Sequence, residues 1–500
     1  MGWLSSARQK AIEIEGSRVH DRLLRHEFFW NFHRVRHQCR ILAVLLFLGI
    51  ACAKAQTNPD CAISQTVSEA DPEHESTAHP THLRLMPSRY VDLLRANRGF
   101  KCSGLPLVAF DGMHYQPTAP ADDQGLFLIV PQVARVLRLK VGAAADLSLM
   151  TTLVLSGTIG LLGFMSVSKT SLGRRVGVAA LVLVSAVELA AGDVYLMAAA
   201  PSAALVPWII FFHSRRKVSA GMFLIMAGAG IVAEASSFIR AHAGIGLALF
   251  VLIVVIGAYR VKLRFRIGLI LTLLAGMIGT AFWFQHLYAQ RDEFLRANPA
   301  AMIRPTHGHV FWHAAYLGLS WIKNSEIPAY KDEIAFAKVK ELRPEVAAYS
   351  PEYEQILRRQ VIDLARRAPG LIIANVLLKL AVVLIYCIGG ANIGLYAAKL
   401  APKHLAVEFA FWLAIAFYAL PGILVVPHAS YMLGLIVFAA LYGAYSVEFA
   451  ARNPAILGRL RYLCTLLLLK QENDSVKRRT LLSGAQDQSD ACQNKNAGTL

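Results

Sequence analysis

Asp122 and Asp123 stand side by side in Ala119-Pro120-Ala121-Asp122-Asp123-Gln124-Gly125-Leu126-Phe127, between an apolar run at 41–55 and another at 147–167. Two adjacent carboxylates beside a bilayer are costly unless water, a cation or a substrate answers them. Held there, a carboxylate can take a proton from an acceptor hydroxyl or amine as a general base. Two such groups, with phosphate oxygens, can also hold a divalent cation. The competing reading is a helix cap, because the pair precedes a helical pattern and Asx side chains bond nearby backbone amides.

Three further places carry chemistry. Glu188 and Asp193 lie at and just beyond the end of an apolar run, in Glu188-Leu189-Ala190-Ala191-Gly192-Asp193-Val194-Tyr195. An acid there tends to face a polar cavity, and the plain alternative for Asp193 is a cap on the next helix. Arg240-Ala241-His242-Ala243-Gly244 puts a guanidinium beside an imidazole in a loop otherwise bare of Lys and Arg. A guanidinium fork matches phosphate, whereas a snorkelling Arg at a lipid surface would look the same in sequence. His307, His309 and His313 follow a zinc-like spacing, but no nearby Cys or Glu completes a zinc motif. Contact with a substrate suits His313 better, since Trp312 and Tyr316 flank it; a structural role at the interface is the alternative.

The elements that must position these residues are membrane helices. Of 500 residues, 55% are hydrophobic and 17% charged, and the apolar residues arrive in blocks long enough to span, roughly 17–25 residues each. The pattern predicts an all-α polytopic membrane protein of about ten transmembrane helices: 41–55, 147–167, 176–192, 195–212, 218–233, 244–259, 267–286, 370–398, 405–425 and 431–450. Outer-face loops would form a small mixed domain. Residues 1–40 read as a cytoplasmic basic arm, 56–146 as a first outer loop, 287–369 as a large outer loop and 451–500 as a cytoplasmic tail, polar and disordered from 471. The 41–55 run ends Ala53-Lys54-Ala55, like a signal-peptidase site, and is read as a retained helix.

The net charge of +18 is topological. Lys169, Arg174, Arg175, Arg215, Arg216, Lys217, Arg260, Lys262, Arg264, Arg266, Lys399 and Lys403 fall in alternate loops. Positive-inside bias places those loops and both termini in the cytoplasm and leaves nucleic acid out as a partner. Cys61 and Cys102 share the first outer loop, where a disulfide or two free thiols would both fit. Residues 125–139 read as an amphipathic helix lying on the outer interface, and two helices are expected at 331–341 and 351–368, the second opened by a Ser350 cap with Pro351 at the first helical position.

A short first span, a long outer loop, an acid at the start of an interfacial helix reading Asp123-Gln124-Gly125-Leu126-Phe127, and alternating spans with a further large outer domain together resemble the GT-C superfamily of integral-membrane glycosyltransferases. These include protein O-mannosyltransferases and the lipid A aminoarabinose transferase. Gln124 stands where the family often has Glu, which leaves Asp122 and Asp123 both eligible as the catalytic acid; Asp123 is preferred. The resemblance implies a polyprenyl-phosphate sugar donor and an envelope glycan, lipid or protein acceptor at the outer face of an inner membrane. It places Asp193, Arg240, His242 and His313 at donor phosphate or sugar, through a single inverting displacement, with a divalent cation optional.

Two rivals stand beside it. A polysaccharide polymerase or ligase would rely on the Arg358-Arg359 and Arg366-Arg367 pairs with the histidines. A transporter or envelope-assembly scaffold would bury carboxylates in mid-span, where Glu188 is nearly alone. The chain has no P-loop, no dinucleotide-binding glycine fingerprint opening a helix after a strand and no G-x-S-x-G elbow, which argues against a nucleotide-sugar enzyme with a soluble catalytic domain and against an ATP-driven pump.

Overall fold

The computed structural model describes residues 87–118, 124–299, 301, 311–401, 404–454, 456 and 458. Asp122, Asp123, His307, His309, Cys61 and the expected 41–55 span lie outside them. The described residues form fifteen α-helices and one two-stranded antiparallel hairpin. Seven helices are long and apolar enough to cross a membrane. This is a multi-pass membrane protein.

Helix α1 (Pro87–Ser103) and strands β1 (Val108–Phe110) and β2 (Tyr115–Pro117) precede α2 (Gln124–Leu137). The bundle follows as α3 (Val141–Val167), α4 (Ser171–Ala191), α5 (Asp193–His213), α6 (Ala220–Ile239), α7 (Ile245–Gly257) and α8 (Leu263–Ala297). After α9 (Phe311–Gly318), α10 (Asp332–Leu342) and α11 (Pro351–Arg367), it resumes with α12 (Pro369–Ala391), α13 (Ile393–Leu400), α14 (Leu405–Leu424) and α15 (Leu433–Ala451).

Two helices make the centre. The apolar windows of α15 and α5 are 94% and 83% buried, against 17% for α8 and 22% for α12, so the first pair is walled in and the second pair faces outward. The outward faces stay apolar, with Phe282, Leu271 and Ile385 exposed, as a lipid-facing surface requires. Helix α3 lies along α5, α8 along α6, α4 along α15 and α14 along α7.

The bundle has two unlike ends. Where α3 passes to α4, the Glu448 carboxylate of α15 accepts from Ser168 Oγ (2.8 Å), Lys169 N (2.8 Å), Thr170 Oγ1 (2.7 Å) and Thr170 N (3.3 Å), and Arg452 Nε reaches it at 3.0 Å. At the other end, where α5 begins, residues 311–368 build a second core around Tyr316, Leu317, Ile327, Val339, Tyr353 and Leu357. The expected Ser350 cap forms: its hydroxyl accepts from Tyr353 N at 3.1 Å, with Pro351 opening α11. Helix α8, 35 residues long, spans about 52 Å at 1.5 Å per residue and so outruns a hydrocarbon core of about 30 Å. Its far part meets the hairpin, where Tyr115 and Phe294 pack edge to face with centroids 5.3 Å apart.

Three expectations change in detail. The 370–398 run is two helices, because Asn392 adopts φ 38° and its side chain caps Ile393 N at 2.6 Å. The 244–259 run yields α7, only 13 residues long and too short to count among the seven. The 125–139 segment does not simply lie on a surface: Leu126, Phe127, Leu128 and Val130 are buried, and α2 packs against α1, α3 and α6. Cys102 is disulfide-bonded.

Candidate functional site

The α5 helix starts from a strained turn. Gly192 (φ 61°) and Asp193 (φ 59°) are both in the left-handed region, which Asp tolerates better than most side chains. Asp193 Oδ1 accepts from Val194 N at 2.8 Å, so the carboxylate does cap its helix. Its Oδ2 pairs with Arg89 Nη1 from α1, and the two side chains are only 4% and 15% exposed. A backbone outlier held by such a contact is a motive for suspecting function.

Tyr195, one step further along α5, gathers the other groups. Arg89 Cζ lies 5.7 Å from its ring centroid and Arg240 Cζ lies 5.3 Å from it. Arg240 is also 5.3 Å from the ring of Tyr431, and the two rings are 5.3 Å apart. Guanidinium over an aromatic face is favourable at this range. The Tyr195, Tyr431 and Tyr330 hydroxyls hydrogen-bond in series. Burial, with Tyr330 adding to it, pushes the Tyr431 phenol up to about 12, so it keeps its proton at neutral pH.

Arg240 is set by the turn between α6 and α7. Its amide donates to Ser236 O at 2.8 Å, Gly244 N donates to Ser237 Oγ at 3.2 Å, and Tyr418 OH donates to Ala243 O at 2.6 Å. Gly244 sits directly on the Ala233 carbonyl, where no Cβ would fit. His242 is exposed, with φ 65° at the tip of this turn, while Arg240 is half-buried.

His313 takes a different place from Arg240. It is 6% exposed inside the 311–368 core, its Nδ1 2.6 Å from Tyr353 OH and its Nε2 3.2 Å from Asp332 Oδ1. Glu354 of α11 accepts from Trp312 N (2.7 Å) and His313 N (2.9 Å), closing the start of α9. The hydrogen bond from His313 holds Asp332 below its usual 3.8 despite burial, and Asp332 in turn acts on Tyr330. His313 is thus held by groups of the 311–368 unit itself.

The acidic pair enters here by chain connection. Gly125 abuts Ile239, the residue before Arg240, so the chain leaving Asp123 reaches α2 next to the Arg240 turn. Among the described residues no group of three or more His, Cys, Asp or Glu converges as metal ligands would.

Thus the structure brings Asp193 and Arg240 to one ring and adds Arg89, Tyr330 and Tyr431, while His242 sits on the exposed turn after Arg240 and His313 in the 311–368 core. Tyr431 opens an apolar run, where interfacial aromatics are common, which is the one sequence signal for it. No family model, curated protein or solved structure matches this chain. Its function has to be read from the cluster itself.

Proposed function

We propose that this chain is a membrane glycosyltransferase of the GT-C kind, moving a sugar from a polyprenyl-phosphate donor to an envelope glycan, lipid or protein acceptor. The observation that supports this best is the convergence on Tyr195. Arg89 and Arg240 bring two positive charges to its ring, beside the Asp193 carboxylate and at the helix start that follows Asp123. Such a site suits a lipid phosphate approached from the bilayer.

In this reading Asp123 takes the proton of an acceptor hydroxyl while the acceptor oxygen attacks the anomeric carbon. The bond from that carbon to the phosphate oxygen breaks, and the lipid phosphate leaves with the bonding pair against Arg240 and Arg89. Configuration inverts. Asp122 is the alternate base, and Asp193 holds Arg89 in place. No metal is needed for this balance, because the leaving phosphate is already charged. The site end would face outward, with both termini in the cytoplasm of an inner membrane.

Three of the four arginines that would favour a polymerase or ligase are engaged within the 311–368 unit. Arg358 lies over Trp312 at 5.8 Å, Arg366 is 3.7 Å from Asp363 and Arg367 is 3.1 Å from Glu326, all on the 311–368 unit.

The test is mass spectrometry of envelope glycans and glycolipids from cells lacking the protein, complemented at matched membrane levels. Wild type should restore a one-sugar mass increment that Asp123→Asn and Arg240→Ala do not. Full restoration by Asp123→Asn would make that acid a helix cap and pass the base to Asp122, and full restoration by Asp122→Asn as well would end this reading.

A further inference from the structure

Lys379 lies in the middle of α12 and is 1% exposed, yet among the described residues no carboxylate or hydrogen-bond acceptor meets its amine. The side chain is enclosed along its stem, so snorkelling leaves the amine almost no water to reach. An ionised amine in such a place is costly unless something answers it.

One turn toward the site end, Asn375 is 0% exposed. Its Nδ2 donates to the Leu319 carbonyl at 2.9 Å. A carbonyl only accepts, so this bond fixes which end of the carboxamide is which. The other end, Oδ1, is buried and has no partner among the described residues. A cationic donor and an unused acceptor thus sit one turn apart on one helix face.

The neighbours place that face. Asn375 holds the segment that follows α9. One turn past Lys379, Val383 and Met432 both pack on Gly422: a Cβ there would lie 3.0 Å from Val383 Cγ2 and 2.6 Å from Met432 Sδ. Met432 follows Tyr431, whose ring carries Arg240. Lys379 therefore lies between the 311–368 unit and the α14–α15 junction, on the wall next to the tyrosine cluster.

We propose that Lys379 and Asn375 form a second binding point for the head group of a lipid-linked sugar phosphate. Lys379 Nζ donates to a phosphate oxygen, and Asn375 Oδ1 accepts from a sugar hydroxyl. The ligand class rests on the transferase reading above; the presence of an anion-binding point does not.

The experiment titrates the purified full chain in detergent with farnesyl phosphate, and with farnesol as the uncharged control, by native mass spectrometry. Wild type and Asp123→Asn should both bind farnesyl phosphate and not farnesol. Lys379→Met should weaken binding at least tenfold while its melting temperature holds or rises, because a neutral side chain of similar volume removes an unanswered charge. Asn375→Leu should keep farnesyl phosphate binding and raise the KM for the sugar-bearing donor. Wild-type affinity in Lys379→Met, or no binding by wild type, overturns the proposal. Lys379-dependent binding in a protein whose Asp123→Asn and Asp122→Asn variants both still restore the sugar increment would sink the catalytic reading and leave this site standing.

Discussion

Gly125 lies against Ile239 so closely that a methyl group in place of its hydrogen would fall 2.6 Å from Ile239 Cγ1 and 3.1 Å from the Ile239 backbone. Contacts that short are not tolerated, so the start of α2 and the end of α6 share one fixed position. The first turn of α2 and the Arg240 turn are thereby held in register.

Gly125→Ala forces that joint open. Overpacking of this kind costs about 1–3 kcal/mol, and misplacing a reacting group by an ångström costs on the order of 10²-fold in rate. The variant should fold with a lowered melting temperature and lose most transfer in a membrane assay. Unchanged turnover would show that α2 and Arg240 are not coupled.

Arg89→Ala strips the partner from a carboxylate that is 4% exposed. Leaving a buried charge unpaired costs about 3–5 kcal/mol. Pairing Arg89→Met with Asp193→Asn, a residue that accepts the left-handed turn, should recover most of that stability without recovering activity. Thermal unfolding of the two variants checks the first part, and the glycan increment checks the second. If the double variant is as unstable as the single one, the pair is not the reason Arg89 matters.

Glu448→Gln acts at the far end. It weakens five contacts from Ser168, Lys169, Thr170 and Arg452, a loss of about 1–3 kcal/mol. Farnesyl phosphate affinity should stay at the wild-type value. A change in affinity would mean that the clasp communicates with the site.

Acid should loosen the 311–368 unit through Asp332. Its folded pKa lies below 3.8 because of the hydrogen bond from His313. The stabilisation from this contact is therefore present above the unfolded value and lost as pH falls through the folded one. Unfolding followed by tryptophan emission between about pH 6 and pH 3 should show less acid sensitivity in Asp332→Asn than in wild type. Identical profiles would remove the contact as a cause.

Arg240 and Asp193 were legible in the sequence because each breaks a local pattern: one is a cation in a loop that topology leaves bare, the other an acid closing an apolar run. Arg89, Tyr330 and Tyr431 break no pattern. They come from three distant segments, and only folding brings them to one ring. The amphipathic period of α2 could be read, but what covers its apolar side could not. The break at Asn392 had a signal in Gly389-Gly390 before it, a composition that ends helices, yet the apolar run beyond hid it. His313 looked like a ligand because Trp312 and Tyr316 flank it in sequence; in the fold its ring packs against Phe336, Tyr349 and Tyr353.

Helix α15 is enclosed on nearly every side, and Tyr431 stands just before it. That half of the tyrosine series is bolted to the least yielding post in the molecule. Tyr330 hangs from the other side, on a loop of the 311–368 unit, and is 41% exposed. A gate for substrate would therefore swing on the Tyr330 side, and amide exchange at 322–331 should outpace that at 425–432.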